Sequence, residues 1–302
     1  MTVPAYHIPV LLQDTLELLA VKQNGVYVDC TFGGGGHSRA ILERLGHEGK
    51  LFAFDQDPDA AANAPDDPRF KLIEENFRYI KRFLRLEGIR SVDGILADLG
   101  VSSHQFDTAE RGFSLRFEAP LDMRMNPEIS LTAADIVNDW PEDAIADLLQ
   151  RYGELPHSRR IARAICKARA AEPILTTSRL NEVCQPYCRK DREHQTLARI
   201  YQALRIEVNQ ELEALKEMLM QATELVVPGG RLVVISYHSL EDRLVKVFMR
   251  SGNFEDRTEK DFYGNDLSPW KPLTKKAIEP KEQEITANTR SRSARLRAAE
   301  RK

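Results

Sequence analysis

A run of four glycines, Gly33 to Gly36, separates two segments of different character. VYVDC (26–30) is β-branched and predicts a strand, whereas SRAILERL (38–45) predicts a helix. Backbone without Cβ atoms lets a ligand come close, and a helix N-terminus offers N–H groups. Two common phosphate-binding signatures are excluded, because Ser38 replaces the last glycine of a dinucleotide fingerprint and no Gly-Lys-Ser/Thr follows. A tight turn without a ligand remains an alternative for the loop.

Three aspartates lie at or near the ends of predicted strands. Asp29 precedes the glycines, Asp55 ends KLFAFD (50–55), and Asp98 lies near the end of VDGILADLG (92–100). In a parallel sheet the carboxyl ends of the strands share one edge, where ligands bind. Asp55 follows the glycines by about 20 residues, the position from which a carboxylate can bind both hydroxyls of a ribose. A helix cap or a surface acid is the alternative for Asp55.

A further strand is predicted over FKLIEENF (70–77), with Phe77 at its end. Phe77 either packs on an adenine ring or belongs to the core. The pattern Asp-x-Thr-Phe-Gly-x-Gly-Gly-His (29–37) resembles motif I of Rossmann-like methyltransferases, in which the glycines make room for the methionine part of the cofactor. The expected cofactor is therefore S-adenosylmethionine.

The elements around these residues follow a strand–helix rhythm that predicts a parallel sheet covered on both faces. The rhythm stops after residue 100 and resumes with a helix over 209–226 and a strand over 230–237. We therefore predict an α/β fold, a Rossmann-like class I methyltransferase with a mostly parallel sheet, interrupted by an all-helical insertion domain. The expected boundaries are 1–106 and 209–302 for the two parts of the methyltransferase domain and 107–208 for the helical substrate-recognition insert. Residues 271–280 and 293–301 predict a final antiparallel pair of strands.

Composition describes an ordinary soluble protein of 302 residues with a net charge of −3. We predict no signal peptide, no membrane helix and, from four cysteines, a reducing cytoplasmic location. The charge is distributed unevenly, since residues 151–205 contain twelve Lys/Arg and five acids. Such concentrated positive charge is what a phosphate backbone attracts, although solvated helix faces explain it equally well.

Several long blocks together resemble one family, the ribosomal RNA small subunit methyltransferase H (MraW) family. The resemblance runs from near residue 6 to near residue 300. The blocks are HIPVLL (7–12), VDCTFGGGGHSRAIL (28–42), FDQDPDA (54–60), DGILADLGVSS (93–103), ERGFS (110–114), PLDMRM (120–125), RIARAI (160–165), QALRIEVNQEL (202–212), GGRLVVISYHSLEDRLVK (229–246) and RSRSARLR (290–297).

This resemblance implies methylation of the exocyclic N4 of a cytidine in the decoding centre of 16S rRNA, with 16S rRNA or the small ribosomal subunit as the partner. It implies cofactor contacts at the positions that match the family pattern, which are Gly35, Gly36, His37, Asp55, Phe77, Asp98 and Gln105. The sequence departs from the family at YGELPHSRR (152–160) and EHQTLARIYQALRI (193–206), both in the insert.

Asp98 is the predicted catalytic residue, because a hydrogen-bond acceptor beside the amino group absorbs positive charge as the methyl group arrives. Many amino-methyltransferases carry Asp/Asn-Pro-Pro-aromatic at this point, whereas this chain has Asp-Leu-Gly-Val (98–101). Backbone carbonyls near Leu99 or Gly100 are therefore alternative acceptors.

A basic helical stretch in the insert predicts a track for RNA phosphates, with a solvated face as the alternative. No metal is expected, because Cys184, Cys188 and His194 lack the spacing and the fourth ligand of a zinc site. His238 either touches the substrate or is a structural histidine. The basic stretch contains Arg159, Arg160, Arg163, Lys167 and Arg169, and Arg163 and Lys167 share with Arg159 and Arg160 the face that forms the predicted track.

Two other functions stay open at this point. One is a methyltransferase for a small molecule or a protein, and the other is an assembly factor that binds the cofactor and ribosomal RNA without turnover. The sequence leaves the oligomeric state open, with a dimer as one option.

Overall fold

A computed structural model describes residues 9–302, so His7 and Ile8 of the HIPVLL block lie outside the described residues. The chain forms two compact units. Unit 1 contains the residues up to Gly100 together with Leu212–Lys302, and unit 2 is Val101–Glu211. The boundaries expected from the sequence, at 106/107 and 208/209, stay a prediction for the functional domains.

A seven-stranded sheet forms the centre of unit 1. Its strands are β1 (Val26–Asp29), β2 (Lys50–Phe54), β3 (Phe70–Ile73), β4 (Val92–Asp98), β5 (Val226–Ser236), β6 (Trp270–Pro272) and β7 (Arg295–Arg301). Their spatial order is β3-β2-β1-β4-β5-β7-β6. Neighbours from β3 to β5 pair in parallel, whereas β7 runs antiparallel to both β5 and β6. The predicted α/β class with a mostly parallel sheet is confirmed.

Helices account for most of the remaining regular structure. They are α1 (Leu12–Leu19), α2 (Gly36–Leu42), α3 (Ile80–Leu86), α4 (Ser103–Asp107), α5 (Ala133–Asp139), α6 (Glu142–Gly153), α7 (Ser158–Arg169), α8 (Thr177–Cys184), α9 (Glu193–Asn209), α10 (Glu211–Leu225), α11 (Ser239–Ser251) and α12 (Glu282–Ala287). Within residues 9–302, no helix combines the length and the apolar character that crossing a membrane requires.

The central strands of the sheet are buried on both faces, because successive side chains point to opposite sides and helices cover each side. In β4, Ile95 and Ala97 join a core with residues of α3, α10 and α11. Leu96, between them in sequence, joins the opposite core with residues of α1 and α2. This double burial explains why the strands read as nearly continuous apolar runs.

The strand order reverses between β1 and β4. From β1 the chain proceeds outward to β2 and β3, then returns to β4 on the other side of β1 and continues to β5. At such a reversal the connections leave in opposite directions and open a crevice beyond the carboxyl ends of the two central strands. The glycine loop follows β1, so it lies at this crevice.

Some element boundaries differ from the predictions. The third strand ends at Ile73, because the Asn76 side chain accepts a hydrogen bond from Arg78 N–H and begins a 3-10 turn there. β5 begins at Val226, four residues before the predicted start at residue 230, and an irregularity in its pairing with β4 accommodates the glycines of that segment. The final antiparallel pair is confirmed, with the addition that β7 lies between β5 and β6.

Unit 2 is helical, as predicted, and no strand lies within residues 101–211. The buried side chains of α5, α6, α7 and α9 form one apolar core. α7 shows the pattern clearly, since Ile161, Ala162 and Ile165 are buried while Arg159, Arg160, Arg163 and Lys167 are exposed. The core therefore fixes which side of α7 is left for solvent or a partner.

Candidate active site

Backbone hydrogen bonds hold the ends of four neighbouring strands together. Cys30 N–H donates to Leu96 O over 2.8 Å and Phe32 N–H donates to Phe54 O over 2.9 Å, so the segment after β1 is bonded to β4 and β2. Leu99 N–H donates to Ile235 O over 2.9 Å and joins β4 to β5. The strand ends therefore place Asp29, Asp55 and Asp98 along one edge, as the sequence predicts.

Within the glycine loop, Gly35 and Gly36 are required by the packing of the protein itself. Gly35 has a φ of +74°, and a Cβ atom there would lie 2.8 Å from the Phe32 ring. A Cβ atom on Gly36 would lie 2.3 Å from Pro9 Cγ. The space that the missing Cβ atoms leave is thus occupied by Phe32 and Pro9, and contact of these two glycines with a cofactor stays a prediction that concerns their backbone.

Asp29 is almost fully buried and receives two hydrogen bonds. The Ser38 hydroxyl donates to Oδ2 over 2.7 Å, and Thr31 N–H donates to Oδ1 over 3.1 Å. Burial raises the pKa of Asp29 to about 6, against the opposing effects of His37 and of these hydrogen bonds. Asp29 therefore fastens the start of α2 to the end of β1.

Asp98 is held from both its backbone and its side chain. Its N–H donates to Thr31 Oγ1 over 2.7 Å, and the Tyr237 hydroxyl donates to Asp98 Oδ1 over 2.9 Å. Burial raises the pKa of Asp98 to about 7; the Tyr237 hydrogen bond lowers it and the Glu241 charge raises it. The side chain keeps 21% of its exposure, so the carboxylate is oriented and still reachable.

His37 adjoins Asp98 but is anchored elsewhere. Its Nε2 lies 3.1 Å from Val10 O, and because a carbonyl only accepts, Nε2 carries the proton of the neutral ring. Its Nδ1 lies 3.7 Å from Asp98 Oδ2, too far for a hydrogen bond. Burial lowers the pKa of His37, which favours the neutral form. The structure thus brings His37 and Asp98 together, with His37 serving as a packing residue whose cofactor contact stays a prediction.

Asp55 ties the glycine loop to the end of β2. Its carboxylate accepts hydrogen bonds from Gly33 N–H at 2.7 Å and from Asp57 N–H at 2.9 Å. Nearby, Phe77 begins a 3-10 turn after β3 and packs, partly buried, against the core. The binding of ribose by Asp55 and of adenine by Phe77 therefore stays a prediction.

The carboxylates at this edge of the sheet suit a cofactor that carries a positively charged sulfonium group. Among residues 9–302, neither Asp29 nor Asp98 forms an ion pair with a lysine or an arginine. Two mostly buried carboxylates without such a partner create a negative potential that favours a cation. S-adenosylmethionine carries its positive charge on the sulfur that bears the methyl group, so the site suits it chemically.

Gln105 belongs to unit 2, where it stabilises the start of α4. Its side chain accepts a hydrogen bond from Ser102 N–H at 3.0 Å, and its own N–H donates to the Ser102 hydroxyl at 3.1 Å. This reciprocal pair is a capping box, and Gln105 is buried within it. The predicted cofactor contact of Gln105 stays a prediction.

The basic stretch of α7 divides into two kinds of residue. Arg159, Arg160, Arg163 and Lys167 are exposed, and among them only Arg163 has a carboxylate within 4.0 Å in the described chain, at 3.4 Å. Arg169 differs, because its guanidinium donates to two carbonyl oxygens near the end of α5, at 2.8 and 2.7 Å. The predicted track on the face of Arg159, Arg160, Arg163 and Lys167 therefore stays a prediction, whereas the Arg169 guanidinium is held by the backbone of unit 2.

His238 and the pair Cys184 and Cys188, the other residues considered from the sequence, form contacts within the protein. His238 is the N-cap of α11, where its side chain and that of Glu241 form a capping box. This favours the structural alternative for His238. Cys184 is buried, and the Cys188 thiol donates to Cys184 O over 3.4 Å.

Sequence reasoning missed Tyr237 and Thr31, the two side chains bonded to Asp98. Tyr237 directly follows β5, and the rule that strand ends gather at one edge could have pointed to it. Thr31 lies inside the motif around the glycines. Its hydroxyl accepts a hydrogen bond from Asp98 N–H, 67 positions away, and the residues next to Thr31 in sequence do not indicate such a contact.

Sequence comparison relates this chain to one family of known proteins. Residues 4–302 match the MraW methylase family. A Bacteroides fragilis protein named ribosomal RNA small subunit methyltransferase H is 56% identical over 297 residues, or 98% of each chain. A Flavobacterium johnsoniae protein of the same name is 57% identical over 299 residues, or 99% of each chain. A crystal structure of an rRNA methylase from Streptococcus thermophilus aligns with a TM-score of 0.40 at 12% identity, covering 96% of this chain and 93% of that one. The chain belongs to the MraW methylase family, as its sequence motifs predict.

Proposed function

We propose that this chain transfers a methyl group from S-adenosylmethionine to the N4 amino group of a cytidine in the decoding centre of 16S rRNA. The family confirms the predicted class of enzyme and its cofactor. The names of the relatives support small-subunit ribosomal RNA as the substrate. The observation that carries the proposal is the oriented Asp98 carboxylate at the strand reversal, which has no lysine or arginine partner in the described chain.

The cofactor, when bound, supplies a methyl group activated by a positively charged sulfur. We assign its contacts to the backbone of Gly35 and Gly36, to His37 and to the Asp55 carboxylate. Phe77 would pack on the adenine, and Gln105 completes the proposed set. Asp98 would contribute negative potential on the side of the sulfur, because its carboxylate lies at the end of β4 in the crevice.

The amino group of cytosine is a weak nucleophile because its lone pair is delocalised into the ring. An acceptor beside it favours pyramidal nitrogen and takes up the proton that the nitrogen loses. Asp98 suits this role, since its pKa of about 7 lies close to the pH at which a general base is most effective. The remaining acceleration comes from alignment of nitrogen, methyl carbon and sulfur, which rigid strand ends favour.

The cytidine must leave its stack, or be presented unstacked, before its amino group can reach such a crevice. The exposed basic face of α7 supports binding of the RNA backbone, because Arg159, Arg160 and Lys167 have no ion-pair partner in the described chain. Phosphate contacts of this kind fix the position of the RNA without reading its sequence. A cytoplasmic location and the oligomeric state stay predictions.

Nucleoside mass spectrometry after incubation of the purified protein with labelled S-adenosylmethionine and unmethylated 30S particles tests the proposal. We expect N4-methylcytidine with the wild type and none with Asp98→Asn, which keeps the shape of the side chain. Asp93→Asn is a matched control at the opposite end of β4, where Asp93 bonds Lys22 and Val26 N–H, and it should remain active. An active Asp98→Asn variant would remove Asp98 from the mechanism. Binding of cofactor and 30S particles without transfer would favour the assembly factor.

A further inference from the structure

Tyr237 is held beside Asp98 by two independent features of unit 1. It follows β5 directly, and the bond between Leu99 N–H and Ile235 O sets the register of the strand ends from which both side chains project. Its own N–H donates to Glu241 Oε2 over 2.9 Å, which fixes it at the start of α11. The phenol is therefore placed by the sheet and by a helix cap, and its hydroxyl lies 2.9 Å from Asp98 Oδ1.

The direction of this hydrogen bond is fixed by the chemistry of the two groups. Burial, followed by the charge of Asp98, raises the pKa of the Tyr237 hydroxyl well above its usual value, so the phenol keeps its proton and donates. A donor of this kind stabilises the ionised carboxylate more than the neutral acid. It therefore works against the burial that favours the protonated form of Asp98.

The other charged and titratable groups around the pair are mostly acidic. Asp29 faces it from β1, His37 from α2, Glu241 from α11 and Glu284 from α12. The Glu241 charge disfavours a further negative charge on Asp98, and burial favours the neutral form of His37. Among the described side chains, the Tyr237 hydroxyl is the one that donates a hydrogen bond to Asp98.

We propose that Tyr237 is a positioning residue for the methyl transfer, whose hydroxyl holds the Asp98 carboxylate in one orientation and in the form that accepts a proton. This inference rests on the proposed function. In the reaction the amine nitrogen forms its new bond to the methyl carbon, the sulfur keeps the electron pair of the bond that breaks, and the proton lost by the nitrogen passes to Asp98. Tyr237 itself forms and breaks no covalent bond.

The first test compares the Tyr237→Phe variant with the wild type. The rate of single-turnover methyl transfer to 30S particles is measured as a function of pH for each protein. This variant keeps the ring and removes the hydrogen bond, so the ionised form of Asp98 loses a stabilising contact. The acidic limb of the profile should move to higher pH by about one unit, the size expected for one hydrogen bond to a charged group. The rate should fall by about tenfold at pH 6 and approach that of the wild type at pH 9.

Tyr27→Phe is the matched control. Tyr27 is a buried tyrosine of unit 1, and its hydroxyl accepts a hydrogen bond from Lys22 N–H and donates one to Ala20 O at the opposite end of the sheet. Loss of that hydroxyl should leave the profile unmoved. A Tyr237→Phe rate that is unchanged, or that is reduced equally at every pH, would overturn the proposal, because a merely structural tyrosine would not move the limb.

A second measurement is independent of turnover. Carbon-13 NMR of protein labelled at the aspartate carboxyl carbons, with the Asp98 signal assigned from Asp98→Asn, reports the titration of this group directly. The signal should titrate about one pH unit higher in Tyr237→Phe than in the wild type. If the wild type transfers no methyl group to ribosomal RNA, the proposed function fails, while this titration still decides whether Tyr237 controls Asp98. An unshifted titration overturns the inference even if the enzyme is active.

Discussion

Replacement of Asp98 by asparagine should have two measurable effects, because the carboxylate that serves methyl transfer also lowers the stability of unit 1. Asparagine has nearly the same shape, and its Oδ1 can still accept the hydrogen bond of the Tyr237 hydroxyl at 2.9 Å. The variant therefore keeps the packing and removes the negative charge. It should lose methyl transfer, and it should also make unit 1 more stable at neutral and higher pH.

The expected size of this gain follows from the pKa of Asp98. A rise from 3.8 to about 7 is about three units, which corresponds to about 4 kcal/mol at a pH above both values. Since the side chain keeps 21% of its exposure and the site can relax, we expect a gain of about 2 to 4 kcal/mol.

The sign follows from proton binding. The folded protein holds the Asp98 proton more tightly than the unfolded chain does, so the free energy of unfolding of the wild type falls as the pH rises from about 4 to about 7. The asparagine variant lacks this titration. The difference between the two proteins should therefore be small near pH 4, grow across this window and level off above pH 7. Asp29, whose pKa is about 6, titrates in both proteins.

Urea unfolding followed by tryptophan fluorescence measures this difference. Trp140 lies in unit 2 and Trp270 in unit 1. In a Trp140→Phe background the fluorescence therefore reports the unfolding of unit 1, which contains Asp98. Curves would be recorded from pH 4.5 to pH 8.5 in the absence of cofactor, with Asp93→Asn as the control. A variant less stable than the wild type at pH 8, or a gain of equal size at every pH, would refute the reasoning.

Three further predictions concern packing and charge. Gly36→Ala should destabilise unit 1 by about 1 to 3 kcal/mol, because its Cβ would lie 2.3 Å from Pro9 Cγ, and a melting temperature equal to that of the wild type would contradict this. Arg297→Met should lower the free energy of unfolding by about 2 to 3 kcal/mol, since it leaves Asp242 with only the half-exposed Arg295 at 3.5 Å; a urea midpoint unchanged from the wild type would count against this. Arg169→Ala should destabilise unit 2 and leave the salt dependence of RNA binding unchanged, whereas alanines at the exposed basic residues of α7 should reduce that dependence.

Much of the central sheet could be predicted because β1, β2 and β4 are buried on both faces and therefore read as apolar runs. Ile95, Leu96 and Ala97 are consecutive apolar residues for this reason, with alternate members in different cores. The start of β5 was not predictable in the same way. Its first residues include Pro228 and two glycines, which locally favour a turn, and the strand spans them only because Val226 and Arg231 on either side pair with β4.

The residues of the site also differ in whether the sequence alone predicts them. The positions of Asp29, Asp55 and Asp98 could be predicted, because each follows from where its own strand ends. The partner of Asp98 could not, since Tyr237 lies 139 positions away and reaches it only through the register of β4 and β5. The hydrogen bonds of Arg169 could not be predicted for a related reason, because a helical pattern shows which residues are charged but not which carbonyl groups a long side chain can reach.

The place of β7 in the sheet has a consequence for the order of folding during synthesis. Unit 2 is one continuous segment, so it can close its core as soon as residue 211 has left the ribosome. β6 pairs with β7 alone, and β5 has its second neighbour in β7, so the last third of the sheet has to wait for residues 295–301. At the usual speed of translation, this interval of about 90 residues lasts roughly 5 to 20 seconds. During about the last 65 residues of that interval, after Ser236 has been made, the nascent chain carries an exposed edge of β5, while the helical unit can already be formed.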